Sequence, residues 1–275
     1  MQTFLPYRDF ASSAAALDSA RLGKQRVEVP QILRAITFPS YGWTNHPVTI
    51  MWRGRVPALV SYGLAMVDEW MARGAADSTR AQIVEFAPEA AEARSGDLAM
   101  PSWLGNPELH RSHQSNLIRK RPELYRPQFP GVPDDLDYVW PGADDIAPAD
   151  PLIGSPLWIL RARDTAQVRD WTDRGEVVLG ELSPSGRTGP KWRRQVESFL
   201  ALPIGTRFAA LDTNSILRLG ELGSAMNAEV GAGLNPAGVL ARDATFKGTL
   251  ERSDFPYPAL LQDPRALFET IGPRL

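Results

Sequence analysis

The chain has 275 residues, of which 43% are apolar and 23% charged, and its net charge is −2. This ordinary composition excludes collagen-like, coiled-coil and disordered chains, and the absence of cysteine excludes disulfide scaffolds, thiolate zinc sites and cysteine nucleophiles. With only three histidines and no Gly-rich phosphate loop, we expect neither a metal nor a nucleotide cofactor. No run of about 18 apolar residues and no secretory signal occurs, so we predict a cytoplasmic protein with no membrane partner.

Apolar residues at helical spacing predict that residues 1–130 form an all-α domain. In the first helix Pro30 interrupts the pattern and predicts a kink, whereas Asn106 and Pro107 are typical of the start of the last helix. The predicted helices cover residues 14–37, 56–73, 78–94 (broken near Pro88) and 106–121.

Two sets of polar residues in this domain are candidates for function. The first helix carries Arg21, Lys24, Gln25 and Glu28 on one side; a solvated face with helix ion pairs is the plain alternative. The second set is a basic stretch with an aromatic residue, which suits contact with phosphates and bases but also complements a helix dipole. Its members are His110, Arg111, His113, Arg119, Lys120, Arg121, Tyr125 and Arg126.

A short acidic segment follows the helical domain. Residues 131–156 contain six Asp and no basic residue, are rich in Pro, and show neither helical nor strand periodicity. We predict an inter-domain linker. It is either a solvated spacer or an acidic strap over a basic cleft.

Residues 157–275 are β-rich and predict a small α+β barrel. Helices are predicted over residues 164–173, in the VESFLAL segment and over residues 262–272. The predicted strands cover residues 157–163, 176–182, 206–212, 215–222 and 239–252.

Three motifs of the first domain occur in the order typical of one enzyme family. They are RLGKQRVEVPQIL (21–33), GWTNHPVTIMW (42–52) and NLIRKRPELYRPQF (116–129). The first resembles the catalytic helix of the phage-type pyrimidine-dimer DNA glycosylases, the endonuclease V family, in which a glutamate precedes a proline by two residues. The resemblance implies a compact helical domain that bends double-stranded DNA and extrudes a damaged or modified base.

The resemblance also implies a chemistry. An N-terminal α-amine attacks the sugar C1′ and a carboxylate, here Glu28, stabilises the developing charge, after which β-elimination can cut the strand. The family's nucleophile is a small residue exposed by removal of Met, whereas Gln2 disfavours that removal. The identity of the nucleophile stays open. It is the amine of Met1 or of Gln2, with Thr3 the nearest small hydroxyl residue, or Lys24 substitutes for it. Loss of the lyase step is a further alternative.

Four residues near this helix and turn are implied DNA contacts. The resemblance assigns phosphate contact or filling of the gap left by the base to Arg21, Gln25 and Arg26. His46, in the Asn-His-Pro turn, is either a further DNA contact or a structural cap.

The second domain resembles the PUA-like domains of the EVE and ASCH group. The segments that carry the resemblance are residues 157–181, 207–222 and 245–256. It implies a pocket for a flipped, modified base, with Trp158, Trp192, Arg187 and Lys191 as base-reading candidates. Together the two resemblances predict a multi-domain DNA glycosylase, in repair or in defence against phages, with a non-catalytic module for modified DNA or RNA as the rival.

Overall fold

The chain forms two compact units in a computed structural model. Unit 1 comprises Met1–Pro151 and unit 2 comprises Leu152–Leu275. The residues that the structure describes are 1–38, 41–93, 97–148, 154–181, 189–212, 216–225 and 239–273. Within these ranges no helix is long and apolar enough to cross a membrane.

Every secondary-structure element described in unit 1 is a helix. The long helices α2, α4 and α7 are preceded and joined by short ones. Their bounds are α1 (Phe10–Ala16), α2 (Ser19–Thr37), α3 (Pro47–Met51), α4 (Val56–Ala72), α5 (Arg80–Val84), α6 (Glu89–Glu92), α7 (Pro107–Lys120) and α8 (Pro122–Tyr125).

The single helix predicted over residues 14–37 is in fact two. Leu17 has an extended backbone, and the side chain of Asp18 accepts a hydrogen bond from the Arg21 amide at 3.0 Å, so that α2 starts afresh at Ser19. This N-cap satisfies an amide that would otherwise lack a partner. Pro30 lies inside α2, which continues through it to Thr37.

Helices α2 and α4 pack closely at the centre of unit 1. Gly63 of α4 permits this approach, because a Cβ added there would lie 2.7 Å from Cγ1 of Val29 on α2. Helix α7 begins where the sequence predicts: Asn106 caps it by accepting from the Glu108 amide at 2.9 Å, and Pro107 is its first residue. These helices fix the positions of the side chains described below.

The first half of the predicted linker lies along α7 rather than crossing open solvent. The amide of Leu136 donates to Ser115 Oγ at 3.0 Å, and the amide of Val139 donates to Ser112 Oγ at 3.1 Å. Because these small polar side chains satisfy its backbone, the segment needs no helix or strand of its own. The boundary between the units falls after Pro151.

Unit 2 contains a mixed six-stranded sheet in the order β2-β5-β4-β3-β1-β6, in which only the β1–β3 pair is parallel. Two further helices precede and follow the β2 edge strand in sequence. The bounds are β1 (Ser155–Arg161), α9 (Thr165–Arg174), β2 (Glu176–Glu181), α10 (Pro190–Ala201), β3 (Arg207–Leu211), β4 (Ile216–Ala225), β5 (Val239–Glu251) and β6 (Leu267–Gly272).

The sheet buries both of its faces. On β1, Leu160 belongs to a core cluster with Trp171 of α9 and Phe199 of α10, whereas its neighbour Ile159 belongs to a second cluster with Phe268. This alternation is the two-residue period of a strand.

Two predictions for unit 2 were wrong. The described strands form an open sheet with β2 and β6 at its edges, so the predicted barrel is not formed by them. The helix predicted over residues 262–272 is replaced by β6, which pairs antiparallel with β1. Buried Leu267 and Phe268 complete the two core clusters, and this tertiary burial prevails over local helix preference.

Candidate active site at the N-terminus of the chain

The first residues of the chain belong to no helix or strand, and residues 3–6 are buried in unit 1. Thr3, Phe4 and Leu5 are 0–4% exposed. A buried segment without secondary structure must find partners for its backbone polar groups elsewhere. Gln2 Oε1 accepts from the Thr3 amide at 3.0 Å, and side chains of α2, α4 and α7 supply the partners described below.

Gln25 of α2 provides the main anchor. Its side chain is fully buried; Oε1 accepts from the Phe4 amide at 3.1 Å, and Nε2 donates to the Gln2 carbonyl at 2.8 Å. The hydroxyl of Tyr62 on α4 lies 2.5 Å from the same Oε1 and 3.0 Å from the Phe4 carbonyl oxygen. Gln25 thus acts as a backbone clamp, and the DNA contact implied for it is not available to a side chain so enclosed.

Glu28 lies one turn further along α2 and faces the start of the chain. Its Oε1 is 3.5 Å from the α-amine of Met1, and its Oε2 accepts from the amide nitrogen of Gln2 at 3.3 Å. Oε2 also accepts from Gln25 Nε2 at 3.2 Å, and Lys24 Nζ lies 3.6 Å from Oε1. The Glu28 carboxylate, which is 7% exposed, therefore lies within 3.6 Å of the nitrogens of Met1, Gln2 and Lys24. These are the candidate nucleophiles predicted from the sequence, apart from Thr3.

Thr3 does not take part in this group. Its side chain is fully buried, and its hydroxyl oxygen accepts a hydrogen bond from the indole Nε1 of Trp52 at 3.1 Å. This contact holds the segment against the end of α3. Thr3 is a structural residue in this arrangement.

His110 and His113 are buried beneath the same segment and do not form a DNA-binding surface. The Leu5 amide donates to Nδ1 of His113 at 3.3 Å, and Nδ1 of His110 lies 2.8 Å from the Leu5 carbonyl oxygen. Burial lowers the pKa of His113 to about 3 and also lowers the pKa of His110. Both rings are therefore neutral at pH 7. In the described parts of the chain no group of acidic or histidine side chains could hold a metal ion.

Tyr138, from the segment that lies along α7, covers the site from another side. Its ring packs against that of His113 at a centroid distance of 5.1 Å, and its hydroxyl hydrogen-bonds with the Gln2 side chain. Burial raises the pKa of Tyr138. Part of the predicted linker thus contributes to positioning the start of the chain.

His46 caps α3 and lies close to the site. Its Nδ1 accepts from the Val48 amide at 3.2 Å. Burial lowers the pKa of His46, the nearby N-terminal ammonium lowers it further, and the Glu28 carboxylate opposes the shift. His46 is therefore a cap whose ring lies within electrostatic range of Glu28, and its contact with DNA stays a prediction.

The other two residues of α2 implied as DNA contacts are engaged within unit 1. Arg21 Nη1 lies 2.5 Å from Oδ2 of its N-cap Asp18, whose carboxylate also accepts from the buried Tyr125 hydroxyl at 2.7 Å. Arg26 forms an ion pair with Asp77 and stacks over the ring of Trp70 at 4.5 Å. These contacts stabilise the fold around the site. They also occupy Arg21 and Arg26 with partners inside unit 1, so these side chains are less available for contact with DNA than the sequence suggested.

The remaining basic residues, in α7 and on either side of α8, are exposed. Arg119 donates to the Leu136 carbonyl at 2.7 Å, Arg111 to the Gly131 carbonyl at 3.1 Å, and Arg126 pairs with Asp134 at 2.6 Å. The acidic segment is thus held partly by the basic stretch, from arginines within α7 and from Arg126 after α8. Exposed Lys120 and Arg121, the latter 2.5 Å from Glu123, lie on the same stretch.

The candidate base-reading residues of unit 2 are not gathered into a site by the described residues. Trp158 on β1 and Trp192 on α10 are partly buried and pack against the core cluster, while Lys191 is exposed on the first turn of α10. Arg187 lies outside the described residues. Their role in base reading stays a prediction.

Several residues of the site were missed by sequence reasoning. Tyr62 and Trp52 are buried, and each also directs one polar atom at the N-terminal segment. Buried Tyr and Trp usually require such a partner. Tyr138 was missed because it lies in a segment without periodicity.

Comparison with known proteins agrees with the N-terminal resemblance. Residues 1–83 match a protein family described as pyrimidine dimer DNA glycosylase. This stretch contains α2, Glu28 and His46. At the level of the family, the match implies a glycosylase and DNA as its substrate.

No match was found among curated proteins. Among solved structures, the chain is similar to the crystal structure of the YTH domain of the Zygosaccharomyces rouxii MRB1 protein in complex with N6-methyladenosine RNA. The identity is 12%, and the alignment covers 38% of this chain and 69% of that one. The TM-score of 0.23 is too low to support a conclusion about fold or function.

Proposed function

We propose that unit 1 is a DNA glycosylase that removes a damaged pyrimidine through a covalent imine to an amine beside Glu28. One observation carries the proposal: the two oxygens of this buried carboxylate face the nitrogens of the first two residues, at 3.5 Å for Met1 and 3.3 Å for Gln2. Nucleophile and proton acceptor in such proximity are what an amine-dependent glycosylase requires.

The reaction can be written with this chain's own groups. The neutral amine attacks C1′ of the extruded nucleotide, the glycosidic bond breaks, and the base leaves with the bonding electron pair and takes up a proton. Glu28 accepts a proton from the attacking nitrogen and delivers it to O4′ as the C1′–O4′ bond opens to give the imine. Loss of a C2′ proton then expels the 3′ phosphate and cuts the strand, which is the proposed lyase step.

The α-amine is the preferred nucleophile. An α-amino group ordinarily has a pKa of about 7.7–8.0 and a lysine amine one of about 10.4, so a larger fraction of the former is neutral at pH 7. The arrangement tolerates either N-terminus: with Met1 present its amine faces Oε1, and after removal of Met1 the nitrogen of Gln2 already faces Oε2. Lys24 is the substitute; its side chain is 66% exposed.

Borohydride trapping on a duplex with a thymine dimer tests the proposal. We expect a covalent adduct that peptide mapping assigns to the N-terminal peptide. Glu28→Gln keeps the shape of the side chain but removes the proton acceptor, and should lower base release by at least about 100-fold. Lys24→Met is the matched control on the same helix and should retain the adduct.

One result would change the identity of the nucleophile, and a second would contradict the proposal. An adduct mapped to Lys24 would show that this side chain, and not the α-amine, is the nucleophile. Specific binding of damaged DNA without adduct or released base would favour the non-catalytic module. An intact-mass measurement of the same sample identifies which residue carries the α-amine.

We further propose that unit 2 reads a modified base and directs excision. The support is its resemblance to PUA-like domains and its fusion to a glycosylase-like unit. We also propose a role in phage defence, which rests on the same fusion, and a cytoplasmic location, which rests on the DNA substrate implied by the family match. Release of hydroxymethylated or glucosylated cytosine in preference to thymine dimers would support this assignment, and equal activity after substitution of both Trp158 and Trp192 would oppose it.

A further inference from the structure

Trp43 has two unusual properties in one residue. Its side chain is 62% exposed, although tryptophan is among the residues that gain most from burial. Its backbone is left-handed, with φ at 71°, the only such non-glycine residue in the described parts of the chain. Left-handed backbone costs a non-glycine residue energy, and such outliers concentrate at functional sites.

The indole is nevertheless held in place. The His46 amide donates to the Trp43 carbonyl at 3.0 Å, which closes the turn, and Arg53 Nη2 donates to the Thr44 carbonyl at 2.8 Å. The Trp43 and His46 rings meet edge to face at a centroid distance of 5.7 Å. The exposed ring face is therefore presented by a braced turn, not by a loose loop.

This turn borders the Glu28 site. Helix α3, which the turn introduces, packs against α2, and Trp52 at its C-terminal end hydrogen-bonds Thr3 in the N-terminal segment. His46, the ring partner of Trp43, lies within electrostatic range of both the N-terminal ammonium and Glu28. The exposed indole is therefore on the turn next to the carboxylate and the amine at which the proposed chemistry takes place.

We propose that Trp43 is a binding residue on which the extruded base stacks when its sugar lies at Glu28. The inference rests on the proposed glycosylase function and adds a specificity element to it. Stacking on an indole is available to any nucleobase. Trp43 would hold the base outside the duplex, while Glu28 and the amine act on the sugar.

The experiment compares two duplexes in a Glu28→Gln background, which prevents turnover. One duplex contains a thymine dimer; the other carries a tetrahydrofuran abasic analogue at the same position, which has the sugar but no base. Trp43→Gly removes the indole and tolerates φ at 71°, so the protein should fold at least as well. Stacking predicts about 10-fold weaker binding of the dimer duplex, unchanged binding of the abasic duplex, and recovery in Trp43→Phe.

The outcomes separate this inference from the function on which it rests. Equal weakening of both duplexes, or of neither, would overturn the assignment of Trp43 even if base release by the wild-type protein is normal. Failure of the glycosylase proposal would instead appear as no preference for either duplex over undamaged DNA with Trp43 intact, and no base released. Met71→Ala, which shortens another exposed apolar side chain of unit 1 (50% exposed), is the control and should bind as the parent does.

Discussion

Replacement of Gln25 by leucine should destabilise unit 1 and displace the N-terminal amine. Leucine has a similar volume but cannot accept from the Phe4 amide or donate to the Gln2 carbonyl, the two bonds at 3.1 and 2.8 Å. It also removes the Gln25 side-chain amide that donates to Glu28 Oε2, which leaves the Gln2 backbone amide as the donor to that oxygen. The Tyr62 hydroxyl keeps an acceptor, the Phe4 carbonyl.

The size of the effect follows from these losses. The Phe4 amide is buried and would lose its acceptor, which costs about 1–3 kcal/mol, and the partly buried Gln2 carbonyl adds a smaller amount. We therefore expect a loss of about 2–4 kcal/mol in the free energy of unfolding. A misplacement of the amine by about 1 Å lowers the rate of a positioned reaction by roughly 100-fold.

Urea unfolding and borohydride trapping measure the two effects separately. Trapping is carried out at a temperature where the variant is still folded, so that loss of adduct reports positioning and not unfolding. Gln31→Leu, the same substitution at a partly exposed position of α2, is the matched control. A Gln25→Leu protein with the wild-type unfolding midpoint and trapping rate would refute the anchoring role.

Three further changes test other parts of the structure by denaturant unfolding. Burial holds the pKa of His113 at about 3, below its ordinary 6.5, so between these values the unfolded chain binds a proton that the folded chain does not. The free energy of unfolding should therefore fall by about 2–3 kcal/mol from pH 7 to pH 4.5, and by less in His113→Gln. Gly63→Ala should cost about 1–3 kcal/mol, while Gly42→Ala, with nothing within 4 Å of its added Cβ, should cost nothing measurable. Arg242→Met should cost unit 2 about 3 kcal/mol or more, because the 2% exposed guanidinium donates to three backbone carbonyls. A pH-independent midpoint, equal effects of the two glycine substitutions, or a neutral Arg242→Met would contradict these respective arguments.

Local signals in the sequence located many of the elements. Asn106 and Pro107 marked the start of α7. Periodicity predicted a helix over residues 56–73, and α4 is observed at Val56–Ala72. The same signal failed at Leu17, because apolar spacing continues across a break that only the Asp18 cap reveals. It failed again at β6, where the pairing partner lies more than 100 residues earlier in the chain.

The site was predictable only in part. Glu28 and its candidate amines follow from the order of residues on one helix and from resemblance to a family. The roles of His110 and His113 could not be read from α7, since their partner is the backbone of Leu5. A polar residue opposite a distant main-chain segment has the same local pattern as one facing solvent, so sequence alone assigned both histidines to the surface.

The arrangement of the N-terminal segment has a consequence for how the protein acquires activity. Leu5 is synthesised before α7, yet its hydrogen-bonding partners on that helix are separated from it by 105 and 108 positions. Contacts between such remote positions form slowly, because the intervening chain must first be closed into a loop. The segment around Leu5 can thus reach its final position only after α7 has been made, and a nascent chain interrupted before α7 would hold Glu28 without these contacts to order the residues that face it.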